Sequence, residues 1–254
     1  WLSVDPMADK YPSLSPYNYC MWNPIKVIDP QGREPIKPYA GTVAGFVKFM
    51  NGLSTGIGKS TGTMAHAAML RMGQTKGIKP ANTAPFNTSG GNRYIYTENG
   101  GWIDMAHFMF YAGRAYNYKL QKKQARDIMN SAGFAIMSPE SQLLWMKKAN
   151  ISPEGEALQD GYLQEFGDKI MAPHSAYSYE DLPTDRFGAD FGANHFDPNS
   201  EKTFSEQVQS YLNGVLKATS PQNAPNYNDL PEKYPDKPSR INKTSTPVYT
   251  DNNP

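Results

Sequence analysis

The chain has 254 residues, with 21 Pro, 21 Gly, 16 Tyr and one Cys, a length that makes one or two domains. Mean hydropathy is −0.64, no run approaches the ~18 apolar residues of a membrane helix, and the lone Cys20 excludes an internal disulfide framework and a Cys-based zinc site. The formal net charge of +1 conceals parts: residues 1–33 are neutral, 34–90 carry +5, 91–220 carry −4, and 221–254 balance. The chain begins at Trp1 and has no basic-then-apolar start, so it reads as the end of a longer polypeptide without a visible signal peptide.

The first segment holds a specific string. Trp1-Leu2-Ser3-Val4-Asp5-Pro6-Met7-Ala8-Asp9-Lys10-Tyr11-Pro12 is followed by Ser15-Pro16-Tyr17-Asn18-Tyr19-Cys20, then Asn23-Pro24, then Ile28-Asp29-Pro30-Gln31-Gly32. Pro, Tyr and Asn in short extended pieces suit hairpin punctuation and a plug. The string resembles the C-terminal end of the RHS repeat-associated core domain, over residues 1–33. The resemblance implies a large β shell built by the same polypeptide, with a variable effector, often a toxin, after the final Asp-Pro-x-Gly. It also implies secretion, delivery into a target cell and a cognate immunity protein. Pro24, Asp29, Pro30 and Gly32 match, while Arg33 stands where an apolar residue is common. In some relatives this motif directs release of the effector. Here release and a simple turn both stand as readings. Residues 34–254 contain no Cys, which suits a module that is released unfolded and refolds elsewhere.

Residues 34–90 are Gly-rich and basic and are expected to form a connector without strands. Within it, Thr63–Met72 predicts a short helix with Ala65, Met69 and Met72 on one face. Gly56-Ile57-Gly58-Lys59-Ser60-Thr61 resembles the end of a phosphate-binding loop, but Leu53 stands where the first Gly is required and no strand is predicted before it.

Residues 91–220 are expected to form the effector module, mainly α, a bundle of five or six helices. Asn92–Thr97 reads as a short strand, and Gly100-Gly101 as a break. Trp102–Gln124 predicts a central helix, apolar on a broad face. Ser138-Pro139-Glu140 and Ser152-Pro153-Glu154 each combine an N-cap, a first-position Pro and an acid in the first turn. They start helices to about Lys148 and about Met171. Ser178 with Asp181, and Thr184-Asp185, read as caps of two further helices. Phe204, Val208, Tyr211, Leu212, Val215 and Leu216 recur at helical spacing. Residues 221–254, rich in Pro and Asn, are expected to be disordered or extended. The alternative is a tail packed through Tyr227, Leu230 and Tyr234.

On the predicted helix Asp104 and His107 are three apart and share a face. There the carboxylate can orient the imidazole, raise its pKa or join it on a metal. The competing reading is an N-capping Asp104 with a satisfied core His107. Glu165, Glu180 and Asp181 complete the candidate set, with helix capping as the competing role of the last two. His174 and His195 read as surface residues and His66 as structural. Two blocks, Gly100-Gly101-Trp102-Ile103-Asp104-Met105-Ala106-His107 and Ser175-Ala176-Tyr177-Ser178-Tyr179-Glu180-Asp181-Leu182 with Gly188, resemble a family of uncharacterised bacterial lipoproteins. That resemblance implies one site shared by the two blocks and no particular activity. A His-Glu pair of that family is replaced here by Gln164-Glu165.

Taken together these residues point to a hydrolase. A carboxyl in an apolar cleft acts as acid or base, water is the nucleophile, and the target is cell-wall glycan, peptide or lipid. A divalent metal on His107, Glu165 and Asp104 is an open variant. A nuclease toxin needs a basic face, and the −4 module argues against a nucleic-acid partner. A non-enzymatic membrane-active or binding module is the third class, with membrane contact left open.

Overall fold

The computed structural model describes residues 40–73, 93–171 and 181–229. The RHS-like string, Glu180, His174 and the tail from 230 onwards lie outside them. As expected, the fold is mainly helical. In chain order it comprises β1 (Ala40–Gly41), α1 (Val43–Gly52), α2 (Gly62–Met72), β2 (Tyr94–Thr97), β3 (Gly101–Asp104), α3 (Met105–Met129), α4 (Pro139–Ala149), α5 (Pro153–Met171), α6 (Asp181–Asp190) and α7 (Phe204–Gly214).

The centre is α3. Met105 to Gly113 are all buried, so its first turns are apolar on every side, as a helix surrounded by other elements must be. α2, α4, α5 and α6 pack on it, while α1 and α7 pack on each other. α6 comes closest, because Gly188 and Gly192 have no side chain: a Cβ on Gly188 would lie 2.3 Å from Phe108 O, and one on Gly192 would lie 2.0 Å from Ala112 O. α2 makes a similar approach from another side, where Gly73 meets Gly113. The interior then fills with aromatic rings. Phe108 stacks on Phe191 at 5.5 Å, and Tyr211 tilts against both.

A three-stranded sheet caps the N-terminal end of α3. β1 runs parallel to β2, and β2 runs antiparallel to β3, with Tyr94 opposite Asp104 and Ile95 opposite Ile103. Strand alternation sends Ile95 and Ile103 into the main core. Tyr94 and Trp102 instead join Ala40 and Ala224, with Tyr96 and Tyr227 against them. The hairpin turns at Gly100-Gly101. Gly101 has φ +66°, a left-handed conformation that costs glycine little. The Thr97 hydroxyl accepts from Gly100 N and donates to Gly101 O, both at 3.0 Å.

Four local expectations change. The helix predicted from Trp102 begins at Met105, because residues 101–104 pair with β2 and Asp104 takes the N-cap. Residues 40–73, expected to be a connector without strands, supply β1 and two helices. Their Phe46, Met50, Ala65 and Met69 sit in one cluster with Phe108, Phe204 and Leu212. Ala65, Met69 and Met72 are buried together as the spacing predicts. Thr184-Asp185 does not cap a separate helix. α6 runs through both and continues into a π-helical turn, Phe191–His195. Pro183 falls in the first turn, where a missing N–H costs nothing. Finally, the start of the tail follows the alternative reading at Tyr227, which packs with Tyr94, Trp102 and Ala224, and the Trp102 indole donates to Asn226 Oδ1 at 2.9 Å. Just before it, Ala218 pairs with Thr97. The expected helices from Pro139 and Pro153 are in place, with Ser138 and Ser152 hydroxyls accepting from backbone N–H groups three residues on. No helix among the described residues is long and apolar enough to cross a membrane.

Candidate functional site

Asp104 and His107 lie close enough to interact electrostatically, but the structure gives them different partners. Asp104 closes β3 and caps α3. Its Oδ1 accepts from Ala106 N at 2.8 Å, and its Oδ2 accepts from Arg93 Nη2 at 2.7 Å and Nε at 3.1 Å. Arg93 stands just before β2, so the strand pairing that sets Tyr94 opposite Asp104 also sets this two-pronged contact. Burial by itself would raise the Asp104 carboxyl. The charges of Arg93 and then His107, with the hydrogen bonds from Arg93 and Ala106, outweigh it and hold the group below its ordinary 3.8. A depressed folded value stabilises the fold above the ordinary value, and that contribution is lost as pH falls through the folded one. The urea midpoint is therefore expected to fall on acidification from about pH 6 to about pH 3, and less steeply in Asp104→Asn. Parallel pH curves for the two proteins would refute this.

His107, one helical turn into α3, bonds instead to Asp185 of α6, Nδ1 to Oδ1 at 3.0 Å. The contact is interior: the His107 side chain is 9% exposed and that of Asp185 1%. Asp185 reaches it because Gly188 and Gly192 draw α6 onto α3. The Tyr111 ring lies next on α3, with its centroid 6.3 Å from that of His107. α5 closes the third side through Gly161, where a Cβ would stand 2.9 Å from Asp185 Oδ2 and 3.5 Å from the Tyr111 ring. Thr184, one residue before Asp185, is fully buried, and its hydroxyl finds no hydrogen-bond partner among the described residues. Native cores pair nearly all such groups, and leaving one unpaired costs about 1–3 kcal/mol.

The expected Asp104–His107 pair is thus replaced by His107–Asp185, with Arg93–Asp104 beside it. The geometry also fits the competing reading, since Asp104 caps the helix and His107 is a buried histidine with a hydrogen-bond partner. Glu165 lies in α5 and Asp181 opens α6, but their side chains are outside the described residues, as is Glu180. Among the described residues no group of three His, Cys, Asp or Glu side chains could hold a metal ion. Asp185 was legible only as a helix cap, because its partner stands 78 residues away. Its one sequence signal is its position between Leu182 and Gly188, within the span of the second block.

A second polar cluster escaped the sequence reading. Asp190, at the end of α6, accepts from the Tyr211 hydroxyl at 2.7 Å and lies 3.4 Å from His195 Nε2. Burial and Asp190 push the Tyr211 phenol far up. His195 ends the π-helical turn and, with Lys202, Ser210 and Tyr211, lines a cleft of about 270 Å³. Tyr211 itself was read only as part of an apolar stripe. His66 bonds the Tyr116 hydroxyl at 2.7 Å, which agrees with a structural role.

No protein-family model matches the chain, and no curated protein or solved structure is significantly similar to it.

Proposed function

We propose that residues 40–229 are the effector end of a secreted RHS-type protein and act as a hydrolase in competition between bacteria, with His107 as general base and Asp185 as the carboxylate that orients it. The observation that carries the reading is the interior 3.0 Å bond between His107 Nδ1 and Asp185 Oδ1. A carboxylate on Nδ1 fixes the ring and its tautomer and stabilises the imidazolium, so that Nε2 exchanges the proton. Water then gives that proton to Nε2 as its oxygen attacks the substrate, and the imidazolium returns it to the leaving group. Glu165, Glu180 and Asp181 stay in the proposed set as alternative proton donors, on α5 and on the chain entering α6. Asp104 and Arg93 hold the N-terminus of α3, and so the height of His107, without touching substrate.

Three features support this reading over a merely structural pair. Burying two ionisable groups is expensive even when they pair, and such groups cluster at functional sites. The buried Thr184 hydroxyl, one residue from Asp185, has no partner among the described residues, and a catalytic role is one of the reasons for such an exception. The proposed effector also follows the RHS-like string directly. The substrate class is cell-wall glycan, peptide or lipid, and a cognate immunity protein is the expected partner.

The test is growth of bacteria expressing the full chain in the cytoplasm or directed to the periplasm. Wild type is expected to arrest growth in one compartment. His107→Ala and Asp185→Asn are expected to relieve the arrest, consistent with a loss of about 10²–10⁴-fold in turnover, while keeping the helical circular dichroism of wild type. Folded variants as toxic as wild type would overturn the catalytic role.

A further inference from the structure

The charge split read along the chain has a finer counterpart in space. Beyond Tyr116, α3 fully buries only Ala125. Tyr118 and Leu120 still pack on the body, and Lys122 Nζ donates to Ile151 O at 2.7 Å, so the helix stands clear only after Lys122. The turn at Ala132–Ile136 buries nothing, and α4 packs mainly back on α3, burying only Ala149. Residues 123–150 therefore form a helical hairpin standing out from the body. Of the seven large apolar side chains exposed among the described residues, four are here: Ile136 at 88%, Leu143 at 65%, Leu144 at 51% and Met146 at 45%. The hairpin has four basic residues, Lys123, Arg126, Lys147 and Lys148, against Asp127 and Glu140, a net +2. The other described residues, 40–73, 93–122, 151–171 and 181–229, have eleven basic and fourteen acidic residues, a net −3.

We propose that this hairpin docks the protein on an anionic lipid bilayer. An outward face of α4 where exposed Leu143, Leu144 and Met146 are followed by Lys147 and Lys148 fits a surface that is anionic outside and apolar just beneath, which is the chemistry of interfacial helices. Leu143 and Leu144 lie one helical turn before Lys147 and Lys148, so apolar and cationic groups share the outward side of α4. Lys148 also lies 5.1 Å from the Trp145 ring centroid. Charge sets the orientation. The acidic body is repelled by anionic headgroups and the hairpin attracted, so one end alone faces the membrane. A polynucleotide matches the cations but offers no apolar layer to Ile136 and Leu143. This proposal does not rest on hydrolysis at His107.

The test is flotation of the full chain with vesicles of phosphatidylcholine alone, or with phosphatidylglycerol in equal parts. Wild type is expected to float with the anionic vesicles at least about tenfold better than with neutral ones, and to be released by salt. Leu143→Ser with Leu144→Ser, and separately Lys123→Glu with Lys147→Glu, are each expected to reduce flotation about tenfold. These side chains are exposed or at the hairpin surface, so unchanged unfolding midpoints are expected. His107→Ala is expected to float as wild type. Equal binding to both vesicles, or binding that survives both double variants, would overturn the proposal. So would self-association abolished by Leu143→Ser in a chain that never floats, since the face would then join two copies.

Discussion

Gly192→Ala is expected to be among the most damaging single-methyl changes in this chain. The added carbon would stand 2.0 Å from Ala112 O and 2.7 Å from Ala112 C, well inside van der Waals contact. Both atoms belong to the backbone of a buried helix and cannot rotate away. α6 must therefore lift from α3, which opens the packing of Phe191 on Phe108 and carries Asp185 away from His107. Overpacking of this kind costs typically 1–3 kcal/mol and sometimes more, and about 3 kcal/mol is expected here because no side chain can yield. The internal control is Gly214→Ala at the end of α7, where a Cβ meets nothing within 4 Å. That change reduces the freedom of the unfolded chain and is expected to be neutral or to stabilise by about 0.4–1 kcal/mol. Urea unfolding of the two variants decides. Equal midpoints would show that close contact of α6 and α3 does not limit stability.

Asp104→Ala is the second large effect. It removes the N-cap of α3, typically worth about 1 kcal/mol, and takes away the carboxylate that two Arg93 nitrogens share. Breaking a fully buried ion pair costs about 3–5 kcal/mol. The Arg93 side chain is 18% exposed, so water recovers part of that loss, and about 2–4 kcal/mol is expected in total. Asp104→Asn keeps an oxygen that can cap Ala106 N and loses the charge, so it should fall between wild type and alanine. If asparagine and alanine were equally destabilising, the ion pair would carry the effect and the cap would contribute nothing. If both were harmless, the anchoring of the α3 N-terminus would have to come from strand pairing alone. Because Asp104 also holds the start of α3 under His107, the alanine variant is expected to lower the proposed activity through position, and asparagine to restore much of it.

Some of this was readable from residue order. Ser138 and Ser152 announce the starts of α4 and α5, because a cap is satisfied within three residues of itself. The face of α2 and the stripe of α7 follow from the helical repeat. Gly100-Gly101 marks a real turn, with a left-handed Gly101. The same rules misplace the start of α3, since nothing local tells a four-residue strand from the first turn of an apolar helix. Trp102 and Ile103 become a strand because Tyr96 and Ile95 lie opposite them.

The sequence by itself determined the helical class and most helix starts, and singled out His107 as a candidate, all from neighbours a few residues away. Only the tertiary structure decided which carboxylate that histidine holds and that residues 40–73 complete the core. Those outcomes depend on glycine contacts between α3 and α6, and on pairings such as His107 with Asp185 that span 78 residues. No periodicity encodes a partner at that separation. Packing selects it, by bringing α6 close enough for a 3.0 Å bond.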